Sequence, residues 1–254
     1  MVHEEINCDQ EMILNRDRLQ IALLIDCDNA PAKSIEGVIN QLSKYGVVNI
    51  RNAYGDWKSS YMKSWEPKLH KHAIIPIQQF AYTSGKNATD IAMSIDAMEI
   101  LYTKKVQAFA LMTSDSDFTP LVTKLMSNGM QVFGFGENKT PEPFINACSQ
   151  FIYTENLIEA DSKETKPKEI LKEDRVKAVR KNKNLIKMLE NAIEKTSDDS
   201  GWSYVARVGT YLSNNSSFST VNYGYQKLGE LLKAVPSFEI KMEKLAMYVK
   251  IKDS

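Results

Sequence analysis

Cysteine is scarce in this 254-residue chain: Cys8, Cys27 and Cys148 stand far apart, and no C-x-x-C pair occurs. So odd and dispersed a set argues against a disulfide framework and a thiolate zinc site, and fits a reducing compartment. Long hydrophobic runs are missing too. No stretch approaches the ~18 consecutive apolar residues that a membrane span needs. The first residues, with Glu4, Glu5, Asp9, Glu11, Arg16 and Asp17, contain no apolar core of the signal-peptide type. No membrane partner and a cytoplasmic location are therefore expected. Net charge is also absent, because 32 basic and 32 acidic residues cancel. The chain as a whole thus offers no general attraction for a polyanion. Repeats and low-complexity tracts do not occur.

What charge there is lies unevenly. Residues 1–160 carry 14 basic and 19 acidic groups, a net of −5, while residues 161–187 carry 10 and 5, a net of +5. The length exceeds one average domain, so two domains are expected. Strand and helix signals alternate through residues 18–158, as βα units do. A strand at 19–25 is followed by Pro31, which suits a helix start, and by Ile35, Val38, Ile39 and Leu42 at helical spacing. Gly46 is expected to stop that helix. A strand at 47–54, a helix through 61–72 and a strand at 74–81 follow. A helix at 89–102 then places Ile91, Ile95 and Met98 on one stripe. Strands at 107–113 and 130–135 flank a helix at 119–127, and a short strand closes near 151–153. Strands this uniformly apolar belong to a parallel sheet covered on both faces.

Five carboxylates fall where such a sheet would collect them. Asp26 and Asp28 end the apolar run Ile21-Ala22-Leu23-Leu24-Ile25, and Asp115 and Asp117 follow Phe109-Ala110-Leu111-Met112. Asp90 opens the helix after Ile74-Ile75-Pro76-Ile77. Ligands of open α/β sheets gather at the carboxyl ends of the strands. Carboxylates brought together there repel one another unless a cation sits among them, and oxygen donors suit Mg²⁺ or Mn²⁺. A metal so held favours phosphodiester chemistry, because it polarises phosphoryl oxygens and generates hydroxide from bound water. Asn29 could orient a ligand or the scissile phosphate. Thr113 and Ser114 could offer hydroxyl and backbone N–H groups to phosphate oxygens, and Lys86 a cation. Asp28 and Asp96 stand as supporting positions. The plainer roles are that Asp28 and Asp117 cap helices, that Lys86 is a solvated loop residue, and that Tyr54 and Trp57 pack rather than stack on bases.

Residues 159–183 are rich in Lys and Glu and read as a basic linker, partly helical. Beyond it three amphipathic helices carry Leu185, Met188, Leu189, Ala192 and Ile193; then Val205, Val208, Gly209 and Leu212; then Leu228, Leu231, Leu232 and Val235. Alternating Phe238, Ile240 and Met242, then Met247, Val249 and Ile251, form a hairpin turning at 243–246. Three helices and a hairpin are the order of a winged helix-turn-helix, expected over 184–252.

Leu24-Ile25-Asp26-Cys27-Asp28-Asn29, Gly85-Lys86-Asn87-Ala88-Thr89-Asp90 and Thr113-Ser114-Asp115-Ser116-Asp117-Phe118-Thr119-Pro120-Leu121 resemble the three signatures of NYN domains. These belong to the PIN-like nuclease superfamily and include LabA-like bacterial proteins. The resemblance covers residues 18–158 and implies an open parallel sheet flanked by helices. It also implies metal-dependent RNA cleavage, with Asp26, Asp90, Asp115 and Asp117 as metal-binding and catalytic positions. The pattern Trp202…Val208-Gly209…Leu212…Phe218…Tyr223-Gly224-Tyr225…Leu231-Leu232…Pro236-Ser237-Phe238 resembles an OST-HTH/LOTUS domain. That family implies RNA binding and possible protein partners. A ribonuclease with an RNA-binding module is the leading expectation, and a non-catalytic RNA-binding adaptor with a vestigial acidic pocket is the alternative. A phosphatase of the haloacid dehalogenase type would require Thr or Val where Ala30 stands.

Overall fold

The computed structural model describes residues 18–79, 88–158 and 168–252, with backbone only at 168–173. Lys86 and the end of the strand expected at 74–81 lie outside the described residues. The chain divides into two compact units after Cys148.

In the first unit, β1 (Leu19–Asp26), β2 (Gly46–Gly55), β3 (Ile75–Gln78), β4 (Ala108–Met112) and β5 (Gln131–Gly136) pair parallel. The strand order within this unit is β3-β2-β1-β4-β5. The apolar runs Ile21–Ile25 and Ala108–Met112 form the two central strands and are wholly buried, as a sheet covered on both faces requires. The sheet grows from β1 outward to β3 on one side and from β4 outward on the other. That reversal opens a crevice at the carboxyl ends of β1 and β4. Ile25 pairs with Met112, so the next residues, Asp26 and Thr113, stand side by side at its mouth.

Three local expectations need correction. Helix α1 (Ile35–Leu42) ends at Ser43, ahead of Gly46. Gly46 instead begins β2, where a side chain would place its Cβ 2.0 Å from the Leu19 carbonyl oxygen. The helix expected through 61–72 is two pieces: a 3-10 turn at Ser60–Ser64 and α2 (Glu66–His72), which starts afresh with Pro67 in its first turn. Helix α3 (Ala88–Thr103) buries Met93, Ala97 and Ile100, while Ile91 and Ile95 face outward. Helices α4 (Thr119–Ser127) and α5 (Glu142–Ala147) complete the unit.

The second unit holds β6 (Gln150–Tyr153), a single helical turn α6 (Glu155–Ile158), α7 (Lys168–Lys181), α8 (Lys183–Thr196), β7 (Ser203–Tyr204), α9 (Val205–Asn215), α10 (Leu228–Ala234), β8 (Phe238–Glu243) and β9 (Ala246–Ile251). β9 lies between β7 and β8, all antiparallel. Leu185, Leu189, Val208, Leu212, Leu231 and Val249 make the core. Val179 of the basic segment is buried in the same core, and Arg180 Nε donates to the Ala234 carbonyl at 3.3 Å. At the hairpin tip Lys244 and Leu245 both have positive φ, the geometry of the tight two-residue turn that matches strand twist. Among the described residues, no helix is long and apolar enough to cross a membrane.

Candidate active site

β1 delivers Asp26 to the crevice as a fully buried residue. Its Oδ2 accepts hydrogen bonds from Thr113 Oγ1 at 2.7 Å and from Asn29 Nδ2 at 3.0 Å. Its Oδ1 accepts from the backbone N–H groups of Asp28 and Asn29, both at 3.2 Å. Burial pushes this carboxyl above the usual range, and the hydrogen bonds from Thr113 and Asn29 oppose the rise without cancelling it. The neighbouring Cys27 thiol is driven far up by burial, then by Asp26 and Asp28, so it is inert as a nucleophile.

The chain leaving β4 builds the facing wall. Thr113 and Ser114 are buried. Thr113 Oγ1 also accepts from the Asp115 N–H at 3.1 Å, which links Asp115 to Asp26 through one hydroxyl. Asp115 Oδ1 accepts from the Asp117 N–H at 2.9 Å and so caps the 3-10 turn Ser116–Phe118 that leads into α4. Ser114 Oγ accepts from the Glu137 N–H at 2.9 Å and holds the end of β5.

Helix α3 supplies the third wall. Asp90 lies in its first turn, where the helix dipole favours a negative charge. Burial and the charges of Asp26, Asp115, Asp117 and Asp28 overcome that preference and push the Asp90 carboxyl up to about 6. The other four carboxylates named from the sequence therefore all act on Asp90 across the crevice. Asp28 is tied in by Thr89, whose hydroxyl donates to Asp28 Oδ2 at 3.0 Å. Asp96 points elsewhere. It accepts from Asn52 Nδ2 at 2.9 Å and from the buried Tyr54 hydroxyl, fastening α3 to β2. Tyr54 is thus no stacking platform, and the Trp57 indole N–H donates to the Ile77 carbonyl at 3.1 Å.

Sequence reasoning missed the roles of Thr89 and Asn52. Thr89 directly precedes Asp90 and carried a local signal. The partnership of Asn52 with Asp96 spans 44 positions and carried none.

The donor set is entirely hard oxygen, which fits Mg²⁺ or Mn²⁺ and not zinc. Among the described residues, no three His, Cys, Asp or Glu side chains stand close enough to grip an ion as placed. A carboxylate offers about four acceptor sites, and four donors already occupy Asp26. Of those donors the Asn29 side chain, on an exposed residue, is the one free to swing aside.

A family model for the NYN domain matches residues 20–159, and one for the OST-HTH/LOTUS domain matches residues 180–249. The chain is 28% identical over 121 residues to an uncharacterized protein of Methanocaldococcus jannaschii, an overlap of 46% of this chain and 47% of that protein. It therefore spans about half the length of this curated relative. Among solved structures it is similar to a Vibrio parahaemolyticus protein of unknown function, with TM-score 0.44 and 18% identity over 54% of this chain and 93% of that one. It is also similar to an uncharacterized Nitrosomonas europaea protein, with TM-score 0.25 and 32% identity over 27% of this chain and 72% of that one. The NYN match spans more than half of the residues, and the chain belongs to the NYN domain family, with an OST-HTH/LOTUS domain following.

Proposed function

We propose that the chain is a divalent-metal-dependent ribonuclease, active in the cytoplasm, whose C-terminal domain holds the RNA. The observation that carries this reading is the gathering of Asp26, Asp28, Asp115 and Asp117 around Asp90 at the strand-order reversal, where burial first and then their charges push the Asp90 carboxyl up to about 6. A fold retains such repulsion at a cost, and a bound cation relieves it. Asp26, Asp90, Asp115 and Asp117 would hold Mg²⁺ or Mn²⁺. The ion, when bound, polarises the phosphoryl group and lowers the pKa of its water.

The protein's own residues do the rest. Thr113 fixes the direction of Asp26 and couples it to Asp115. The Asn29 side chain, which donates to Asp26 Oδ2, would be the donor to give way if Asp26 held the ion. Asp90, pushed up to about 6, is mostly ionised at neutral pH and would offer that charge to the ion.

Thermal melting with added Mn²⁺ tests the reading. An ion that binds the folded chain raises its melting temperature by mass action, by an amount set by concentration over Kd. The rise should appear in wild type and vanish in Asp115→Asn. A wild type indifferent to millimolar Mn²⁺ would leave an RNA-binding adaptor with a vestigial pocket.

A further inference from the structure

Helix α3 turns an apolar surface toward the candidate site. Ile91 is 60% exposed and Ile95 63% exposed, although Met93, Ala97 and Ile100 of the same helix fill the core. Ile91, Ile95, Ser94 and Met98 wall an open cavity of about 520 Å³, and the other two lining residues are Asp90 and Asp117. Leaving two isoleucines in water has a free-energy cost, and the packing of α3 does not require it. Apolar surface rimmed by polar groups marks a place where something binds.

We propose that this wall is a nucleobase subsite, which seats the base of the nucleotide next to the phosphate served by the carboxylates. The identity of the occupant rests on the ribonuclease reading above. Continuity supports it: whatever fills the cavity touches Asp90 and Asp117, so it lies beside the reacting group. The chemistry also matches, because a base offers a flat apolar face to Ile91 and Ile95 and a polar edge to the Ser94 hydroxyl. The volume falls within the range of about 300–1,000 Å³ usual for ligand pockets. A second copy of the chain is a poor occupant. A two-fold contact through this face would set Asp90 and Asp117 against their own copies, and like charges so juxtaposed oppose association. A base buried here must be unstacked, so the substrate is single-stranded where it is cut. Contact through aliphatic side chains reads area rather than hydrogen-bonding pattern. The subsite therefore prefers purines over pyrimidines without demanding one base.

Photocrosslinking with the full chain tests the subsite without relying on turnover. A single-stranded oligonucleotide carrying 4-thiouridine is irradiated with wild type and with Ile91→Ser/Ile95→Ser, and the adducts are mapped to peptides. Both positions are exposed, so the variant should melt with wild type, and the melt is measured. Adducts within residues 88–103 that are lost in the variant support the subsite. So does a KM for that oligonucleotide raised about 10-fold. Adducts elsewhere with equal yield in both proteins overturn it. So does a wild-type dimer in sedimentation that the substitutions dissociate, since a second copy then owns the face. Crosslinking at α3 with no cleavage under Mn²⁺ defeats the ribonuclease reading and leaves the subsite standing. Cleavage with an unchanged KM in the variant does the reverse.

Discussion

Thr113 donates its hydroxyl to Asp26 Oδ2 at 2.7 Å, joining the ends of β1 and β4 where the strand order of the sheet reverses. Both residues are buried. Water therefore cannot replace the bond, and a hydrogen bond to a charged group contributes about 1.5–3 kcal/mol. Thr113→Val should lower stability by that amount in urea denaturation, and Thr113→Ser should retain most of it. Equal stability of wild type and Thr113→Val would show that the bond is not what holds the crevice.

Asp90 gives the site a pH signature. Its pKa is about 6 in the folded chain against 3.8 for the free side chain. The folded state thus binds the extra proton in this window. The contribution to stability is complete at low pH and is lost as pH rises through about 6. Discounted for solvent screening of a half-exposed group, the loss is about 1 kcal/mol. In EDTA, wild type should weaken relative to Asp90→Asn as pH rises from about 4 to about 7. A constant difference between the two across that range would contradict a raised Asp90 pKa.

Asp26 with Asp28, and Asp115 with Asp117, were legible because each pair follows an unbroken apolar run that ends at the same edge of a parallel sheet. The exposed face of α3 was not legible. Apolar side chains lie all round that helix, at Ile91, Met93, Ile95, Ala97, Met98 and Ile100, so periodicity could not choose which ones the sheet would cover. The tie of Thr89 to Asp28, and of Asn52 to Asp96, exists only once distant segments meet. The basic segment read as a linker contains α7. Two of its scattered apolar residues, Val176 and Val179, pack into the C-terminal core, which their sparse spacing among charges did not announce.

Two glycines should respond in opposite directions. Gly46→Ala forces a Cβ against the Leu19 carbonyl and should cost about 1–3 kcal/mol or more. Gly209 lies within α9, where an added Cβ finds only Leu228 at 3.5 Å. Gly209→Ala should therefore stabilise by about 0.5–1 kcal/mol through helix propensity. Paired chemical denaturation of the two variants checks both signs.

RNA capture has a candidate face on the C-terminal domain. A groove of about 730 Å³ is lined by Lys195, Tyr204, Arg207, Thr210 and Asn214, among others, with no carboxylate in its lining. Each phosphate neutralised adds about one unit to the salt dependence of affinity. Lys195→Ala/Arg207→Ala should weaken RNA binding and flatten that slope by about two. Lys181→Ala/Lys183→Ala tests the basic segment in the same series. Affinity and slope equal to wild type in both variants would make this domain a protein-binding module instead.

Cleavage itself is the most direct measurement. A mixed single-stranded RNA pool is incubated with the full chain, with and without Mn²⁺, alongside Asp115→Asn and Asp26→Asn proteins of matched folding. Mn²⁺-dependent degradation by wild type, abolished in both variants, is the predicted result. Degradation that persists in the variants, or an intact pool under every condition, would contradict a metal-dependent ribonuclease at the ends of β1 and β4.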